Sequence, residues 1–209
     1  MALFVGLTGG IASGKSTVAR LLSARNIPVI DTDLISRELV EPGQPCLNEL
    51  CQHFGPEILN EDGHLNRKTL REKIFTDSSA RAVLETILHP QIRRIAKERA
   101  EQSATQASYV LVVVPLLADP KVQPHYQWLD YVLGVRATPA IQKARLLERP
   151  GINPPLADQM ISAQSSDRER DAIVNEWIVN TGDLTTLARQ VNQCHHKLLM
   201  LAAERTSSK

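Results

Sequence analysis

One stretch near the N-terminus constrains this 209-residue chain more than any other. Residues 9–17 match the spacing G-x-x-x-x-G-K-[ST], in which glycines let the backbone close round a polyphosphate while its amide N–H groups point inward. A short apolar run, residues 2–7, precedes the motif, and Val18, Leu21 and Leu22 follow it at helical spacing. This strand–loop–helix context favours a phosphate-binding loop over a chance match in a Gly/Ser-rich turn.

The loop predicts a nucleotide site in which different residues have different tasks. Lys15 is expected to reach the β- and γ-phosphates, and Ser16 to place its hydroxyl on Mg²⁺. The positive N-terminal end of the following helix adds to the attraction for phosphate. The predicted ATP-binding residues of the loop are Gly9, Gly10, Ile11, Ala12, Ser13, Gly14, Lys15, Ser16 and Thr17.

Composition is that of an ordinary folded chain, with 43% hydrophobic and 22% charged residues. The length suits one domain with a sizeable core. A net charge of +1, from 24 basic and 23 acidic side chains, gives no global attraction to nucleic acid or to a membrane surface. We therefore expect neither as a partner, and an anionic ligand has to be held by a local arrangement.

The sequence indicates a cytoplasmic location. It has no apolar run of about 18 residues, and Lys15 lies too close to the N-terminus for a secretory apolar segment to precede it. Three sparse cysteines, Cys46, Cys51 and Cys194, form no C-x-x-C pair and fit a reducing compartment.

Apolar runs predict four more strands, at 27–30, 109–114, 131–135 and 176–180. Helical periodicity fills most of the remaining chain, and turns are expected at several Gly and Pro positions, including His89-Pro90. We predict an α/β P-loop NTPase fold with a doubly wound, five-stranded parallel sheet, a helical insertion and a lid. The predicted boundaries are core 1–33, helical acceptor-binding domain 34–107, core 108–136, lid 137–171 and core 172–209.

A pair of acids, Asp31 and Asp33, follows the second predicted strand, at the end where open α/β sheets bind ligands. The run 109–114 ends at Pro115 and not at the Mg²⁺-orienting aspartate of many nucleotide hydrolases, so the pair is the candidate replacement. If the backbone stays extended, both side chains share a side, and one faces the Mg²⁺ shell while the other faces an acceptor. The alternative is a helix start, where an aspartate caps free N–H groups.

Arginines cluster before the last predicted strand. One predicted helix carries Arg145 and Arg149, and a second, from about 156 to 171, carries Arg168 and Arg170. Two such helices joined by Pro and Gly suggest a mobile lid, in which Arg145, Arg149 and Arg170 include the residues that clamp the triphosphate. The alternative is a solvated charged face.

The pattern favours a phosphotransferase over a nucleotide-dependent switch. The chain is small, the acid pair replaces the missing acid after the third strand, and two segments could close over an acceptor. The guanine-reading Asn-Lys-x-Asp of GTP switches is absent. ATP turnover that depends on a small acceptor would separate the two classes.

The chain resembles the dephospho-CoA kinase family over roughly residues 3–182. The resemblance is carried, in order, by 7–17, 29–33, Glu41-Pro42-Gly43, Phe54-Gly55, Asp62-Gly63, Ile74-Phe75, Leu88-His89-Pro90, Val114-Pro115-Leu116-Leu117, Gln164, Arg170 and Asn180-Thr181-Gly182. It implies ATP-dependent phosphorylation of the ribose 3′-hydroxyl of dephospho-CoA, the last step of coenzyme A synthesis, with Mg²⁺ accompanying ATP. Another small-molecule or nucleotide kinase of the same fold is the alternative.

The resemblance also implies residue roles. It assigns the general base to Asp33 and leaves Asp31 as a helix cap or in the metal's outer shell. It places Asn180 with ATP and Thr8 with the acceptor. A monomer or a small homo-oligomer is expected.

The helical segment is expected to bind the acceptor because an insertion after the second strand can lie over the acid pair. Arg67 and His89 are the candidate polar contacts, and a structural cap is the alternative for His89. Two departures from the family pattern stand out. Ala118-Asp119 replaces an apolar residue and Glu, and Ala12 replaces a loop glycine, which is acceptable if Ala12 keeps a negative φ.

Overall fold

The computed structural model describes residues 2–207, without the side chains of residues 76, 167, 206 and 207. The chain divides into two units, one formed by 1–30 with 99–209 and the other by 31–98. The predicted limits of the helical domain and of the lid stay predictions.

The sheet follows from the apolar runs of the sequence. Its strand order is β2-β3-β1-β4-β5, with β1 at Leu3–Gly9, β2 at Val29–Asp31, β3 at Tyr109–Val113, β4 at Tyr131–Arg136 and β5 at Glu176–Val179. Parallel pairing sets Leu3 opposite Tyr109, Val5 opposite Tyr131 and Leu133 opposite Glu176. The predicted five-stranded parallel α/β fold is confirmed.

Helices connect the strands. They are α1 Lys15–Ser23, α2 Thr32–Glu38, α3 Pro45–Phe54, α4 Arg67–Thr76, α5 Ser78–Ser103, α6 Pro139–Leu147, α7 Pro154–Ser162, α8 Asp167–Asp171 and α9 Leu184–Ser207. Short 3-10 helices occur at Pro56–Ile58 and Gln123–Tyr126. None of these helices, as far as residues 2–207 describe them, is long and apolar enough to span a bilayer.

A buried apolar cluster of the first unit packs α1 and α9 against one face of the sheet. All five residues of β3 are buried, as expected of a central parallel strand covered on both sides. Alternate residues of the strands, such as Val5 and Leu7, pack with Val18 and Leu22 of α1 and with Val191 of α9. The carboxyl end of β1 is thereby fixed where the loop at 9–17 begins.

Three local expectations are wrong. The helix expected from about 156 to 171 is divided, because Ser166 and Glu169 form a capping box that starts α8. The turn expected at His89-Pro90 is absent from α5, which continues through Pro90. Leu88 and Ala96, on either side of the proline, are buried at helical spacing, and their burial outweighs the lost backbone hydrogen bond. Arg149 lies beyond α6, which ends at Leu147.

The second unit is helical, formed by α2 to α4 and most of α5. Its buried side chains include Ile35, Leu47, Leu50, Ile58 and Leu70. A cavity of about 420 Å³ within this unit is lined by side chains of α2, α4 and α5, namely Ser36, Arg71, Ile74, Phe75, Arg81, Leu84, Glu85, Leu88, His89 and Ile92.

Candidate active site

The loop after β1 folds round the ammonium group of Lys15. The Nζ atom donates to the carbonyl of Gly9 at 2.8 Å and to that of Gly10 at 3.0 Å. Ser16 is exposed on the first turn of α1, and the N–H groups of Thr17 and Val18 bond to the Gly14 carbonyl. A positive charge and a helix N-terminus therefore face one concave turn, which suits an anion of several phosphates.

Gly14 has two reasons to be glycine. It caps α1 in the left-handed region, with φ 103°. A Cβ there would also overlap the Asn180 side chain, whose Nδ2 donates to the Ser13 carbonyl at 2.7 Å. The loop is thus tied to the residue after β5.

Ala12 does not keep the negative φ that would make it an acceptable replacement for the loop glycine. Ala12 has φ 54°, in the left-handed region that an L side chain disfavours by roughly 1–2 kcal/mol. The observed φ is positive, so the negative φ that would make alanine acceptable is absent. The family's glycine would adopt this φ without strain. The surrounding hydrogen bonds hold the loop in this shape despite the methyl group.

Arg145 secures the outer side of the loop. Its guanidinium donates to the carbonyls of Ala12 at 3.1 Å and Ser13 at 3.2 Å, and to that of Asn180 at 3.2 Å. Arg145, which is predicted to clamp the phosphates, therefore bonds the backbone of the loop. Asn180, which is predicted to bind ATP, contacts Arg145 through its carbonyl.

The other predicted lid arginines differ from each other. Arg149 is exposed in the turn after α6, and Arg168 is exposed on α8. Arg170 is only 9% exposed, so a solvated charged face is the wrong description for it. Burying a guanidinium requires partners, and Arg170 stays a predicted clamp residue.

Asp31 and Asp33 differ in their position relative to α2. Asp31 is the N-cap of α2, and its Oδ1 accepts the Asp33 N–H at 2.8 Å. Helix begins at Thr32, so the extended backbone that would give both acids a shared side is absent. Asp33 is exposed in the first turn of the helix. The capping alternative is thus realised by Asp31.

Besides Asp33, three residues are predicted to contact the acceptor, and they are spread along the chain. Thr8 is 1% exposed, and its hydroxyl donates to the Pro115 carbonyl at 3.2 Å. Arg67 is exposed at the start of α4, while His89 is exposed on α5 and lines the cavity of the second unit. His89 lies inside α5, which runs from Ser78 to Ser103.

Two functional candidates were given no role by the sequence analysis. Gln142 of α6 donates to the Ile11 carbonyl at 2.8 Å, and Gln164, between α7 and α8, accepts the Ile11 N–H at 2.5 Å. A signal for Gln142 was present, because it shares the buried face of α6 with Leu146, four residues on. A polar residue on an apolar helix face needs a partner.

A second polar cluster lies at the amino end of the strands. Glu176 starts β5 and accepts hydrogen bonds from Tyr131 at 2.9 Å, from Lys197 at 2.7 Å and from the Cys194 thiol at 3.1 Å. Burial raises the pKa of Glu176, but these three donors outweigh it and leave the pKa below its ordinary value. Burial raises the pKa of Cys194 to about 12, which makes the thiol unreactive.

The residues present fit a magnesium ion bound mainly by a nucleotide. Within residues 2–207, no group of three His, Cys, Asp or Glu side chains is arranged to hold a metal. Mg²⁺ commonly takes one or two protein oxygens plus phosphates and water, and the exposed hydroxyl of Ser16 is such an oxygen.

The loop, the parallel sheet and the helix that follows β1 define a nucleotide-binding α/β protein of the P-loop class. The family model described as dephospho-CoA kinase matches residues 3–186. The chain therefore belongs to the dephospho-CoA kinase family.

Relatives agree with this assignment. The dephospho-CoA kinase of Xylella fastidiosa strain 9a5c is 46% identical over 187 residues, which cover 90% of this chain and 89% of the relative. The crystal structure of a Thermus thermophilus protein is 30% identical, with a TM-score of 0.78 and coverage of 94% and 98% of the two chains. The dephospho-CoA kinase of Campylobacter jejuni has the same fold at 20% identity and a TM-score of 0.66, covering 93% and 96%.

Proposed function

We propose that this protein transfers the γ-phosphoryl group of ATP to the ribose 3′-hydroxyl of dephospho-CoA, giving coenzyme A and ADP. The match to one family model over residues 3–186 carries the proposal. The loop supports it, because Lys15 is already enclosed by the turn that follows β1.

In the proposed reaction the phosphate loop and Lys15 stabilise the charge on the transferring group. Asp33 takes the proton of the 3′-hydroxyl while the hydroxyl oxygen bonds to the γ-phosphorus. The bond between that phosphorus and the β–γ bridging oxygen breaks. ADP leaves with that oxygen. The exposure of Asp33 in the first turn of α2 supports this role.

Magnesium is part of the proposal. Ser16 would hold the ion together with the nucleotide's phosphates. When bound, Mg²⁺ neutralises charge that develops on the β- and γ-phosphates. The proposed triphosphate clamp consists of Arg145, Arg149 and Arg170. Arg145 acts through the loop carbonyls to which it donates.

The acceptor is proposed to bind in the cavity of the helical unit. Its volume of about 420 Å³ lies in the usual range for small-molecule sites. Arg71, Arg81 and His89 offer positive or donor groups for a diphosphate, and Leu84 and Leu88 offer apolar surface for a pantetheine arm. Arg67 and Thr8 remain proposed contacts outside the lining. Protection from hydrogen exchange induced by dephospho-CoA should fall on α4 and α5, and protection confined to other segments contradicts this part.

We further propose that the protein works in the cytoplasm as a monomer or small homo-oligomer. Neither location nor assembly bears on the chemistry that follows.

The test is a coupled assay of ADP release in the presence of ATP and Mg²⁺. Dephospho-CoA should raise ADP release strongly, and coenzyme A, whose 3′-hydroxyl already carries phosphate, should not. Equal release with and without dephospho-CoA contradicts the proposed function. Release stimulated by another small acceptor alone would favour the alternative kinase.

A further inference from the structure

The tip of the phosphate loop, Ile11, is held by two glutamines whose hydrogen bonds run in opposite directions. Gln164 accepts the Ile11 N–H at 2.5 Å, and Gln142 donates to the Ile11 carbonyl at 2.8 Å. The backbone partner fixes each amide's orientation, because an N–H only donates and a carbonyl only accepts. Gln142 is 8% exposed, and a Cβ on Gly10 would overlap its Nε2 atom.

These bonds determine which way the loop's peptide groups face. In a trans peptide the carbonyl of one residue and the N–H of the next point in opposite directions. Gln142 holds the Ile11 carbonyl, and Arg145 holds those of Ala12 and Ser13. The N–H groups of residues 12, 13 and 14 are therefore directed away from these side chains, and that of Ser13 donates to the Gly10 carbonyl across the turn at 3.2 Å.

The bond made by Gln164 has the converse effect. It draws the Ile11 N–H outward, so the carbonyl of Gly10 points inward, where Lys15 Nζ donates to it at 3.0 Å. The two glutamines thus set adjacent peptide planes in opposite senses. A phosphate needs N–H groups directed at it, and a flipped peptide would present a carbonyl oxygen instead.

We propose that Gln142 and Gln164 are positioning residues for ATP binding, which fix the peptide planes of the loop without touching the reacting atoms. This inference rests on the proposed function, because it takes residues 9–17 as the ATP site. Both glutamines belong to the segment 137–171, so the predicted lid and the loop are coupled through them.

The directions of the two bonds give a sharp test. In Gln164→Glu the carboxylate still accepts from the Ile11 N–H, whereas in Gln142→Glu it opposes the Ile11 carbonyl, acceptor against acceptor. Both variants add one negative charge beside the same residue, Ile11. Gln159→Glu adds the same charge on an exposed part of α7.

ATP affinity should be measured by calorimetry without acceptor, together with melting temperature. We expect Gln142→Glu to weaken ATP binding about tenfold more than Gln164→Glu, the effect of an unsatisfied buried group. Gln159→Glu should bind ATP within about twofold of the wild type, the scale of an exposed charge. Equal weakening by Gln142→Glu and Gln164→Glu would show that only charge matters and overturn the proposal.

A neutral pair completes the test. Gln142→Met and Gln164→Met keep the side-chain length but remove both bonds, so both should raise KM for ATP while leaving KM for dephospho-CoA unchanged. Unchanged ATP affinity in both would overturn the proposal. If Gln142 variants do not fold, half-buried Gln164 decides alone, since Gln164→Glu should restore affinity that Gln164→Met loses. Wild-type protein that binds ATP but makes no coenzyme A would refute the proposed function and leave this inference standing.

Discussion

The polar side chains at the two ends of the sheet have different kinds of hydrogen-bond partner. At the carboxyl end, side chains from distant elements, including Arg145 and Asn180, bond to the backbone of the phosphate loop. At the amino end, Glu176, Lys197 and Tyr131 bond chiefly to one another. The bonds at the carboxyl end fix the conformation of a backbone that can bind a ligand. At the amino end the side chains satisfy one another's hydrogen bonds.

This difference separates binding from stability. Where side chains bond the loop carbonyls, the N–H groups of the same peptides can face a ligand. Substitutions that remove these bonds should therefore lower ATP affinity or turnover. A carboxylate satisfied by neighbouring side chains leaves nothing for a ligand, so damage there should appear as lost stability. The comparison fails if variants at the two ends behave alike.

The largest effect is expected from Lys15→Ala. Removing the ammonium should lower phosphoryl transfer by about 10²–10³-fold, the scale of one preorganised charge-stabilising donor. Circular dichroism and melting temperature should change little, because Lys15 is the first residue of α1 and is not one of the buried core side chains. Lys197→Met is the matched control at the other end, where stability should fall and turnover persist. A Lys15 variant with normal turnover would remove the loop from the mechanism.

Asp33→Asn should come next, with turnover lowered by about 10², the scale of a lost general base. Asparagine keeps the shape and also suits a first helical turn, so ATP affinity and folding should be preserved. Asp31→Asn should retain turnover, because asparagine caps a helix as well as aspartate. The opposite pattern, loss at 31 and retention at 33, would exchange the two roles.

At the amino end, Glu176→Gln should destabilise the fold by about 1–3 kcal/mol, since it weakens the bonds to Tyr131, Lys197 and the buried Cys194. The pKa of Glu176 is lowered in the folded state, so its contribution is present at neutral pH and is lost as pH falls through that lowered pKa. Chemical denaturation from neutral to acidic pH should show the wild type losing its advantage over the variant. A constant difference over this range, or a fall in turnover at saturating substrate, would contradict the separation of roles.

The smallest effect concerns Ala12. Ala12→Gly relieves a left-handed φ of 54° but gives the unfolded chain more freedom, which costs back roughly 0.4–1 kcal/mol. We expect a gain in stability of at most about 1 kcal/mol, with ATP affinity unchanged. Destabilisation by this substitution would show that the methyl group supports the loop.

The sheet and the loop could be predicted because their signals are local. The run Tyr109–Val113 is apolar throughout, and the glycine and lysine spacing at 9–17 occurs within one turn. The confirmed sheet and family follow from such patterns. The break before α8 also has a local cause, because Ser166 and Glu169 stand three residues apart and form a capping box that starts a new helix.

Other features of the site depend on tertiary contacts that no local pattern contains. Gln142 and Gln164 meet at Ile11 although they lie 131 and 153 residues away along the chain. The direction of the Arg145 side chain, toward loop carbonyls, also depends on how α6 packs. Asp31 and Asp33 could be found by spacing, but which one caps depended on where α2 starts.

The position of the new phosphate tests the central claim most directly. Protein incubated with ATP, Mg²⁺ and dephospho-CoA should yield one coenzyme A for each ADP, with phosphorus NMR placing the added group on the ribose 3′-oxygen. The 3′-deoxy analogue of dephospho-CoA should give no ADP above background. A phosphate on another oxygen, or ADP release that the analogue supports as well as dephospho-CoA does, would contradict the account.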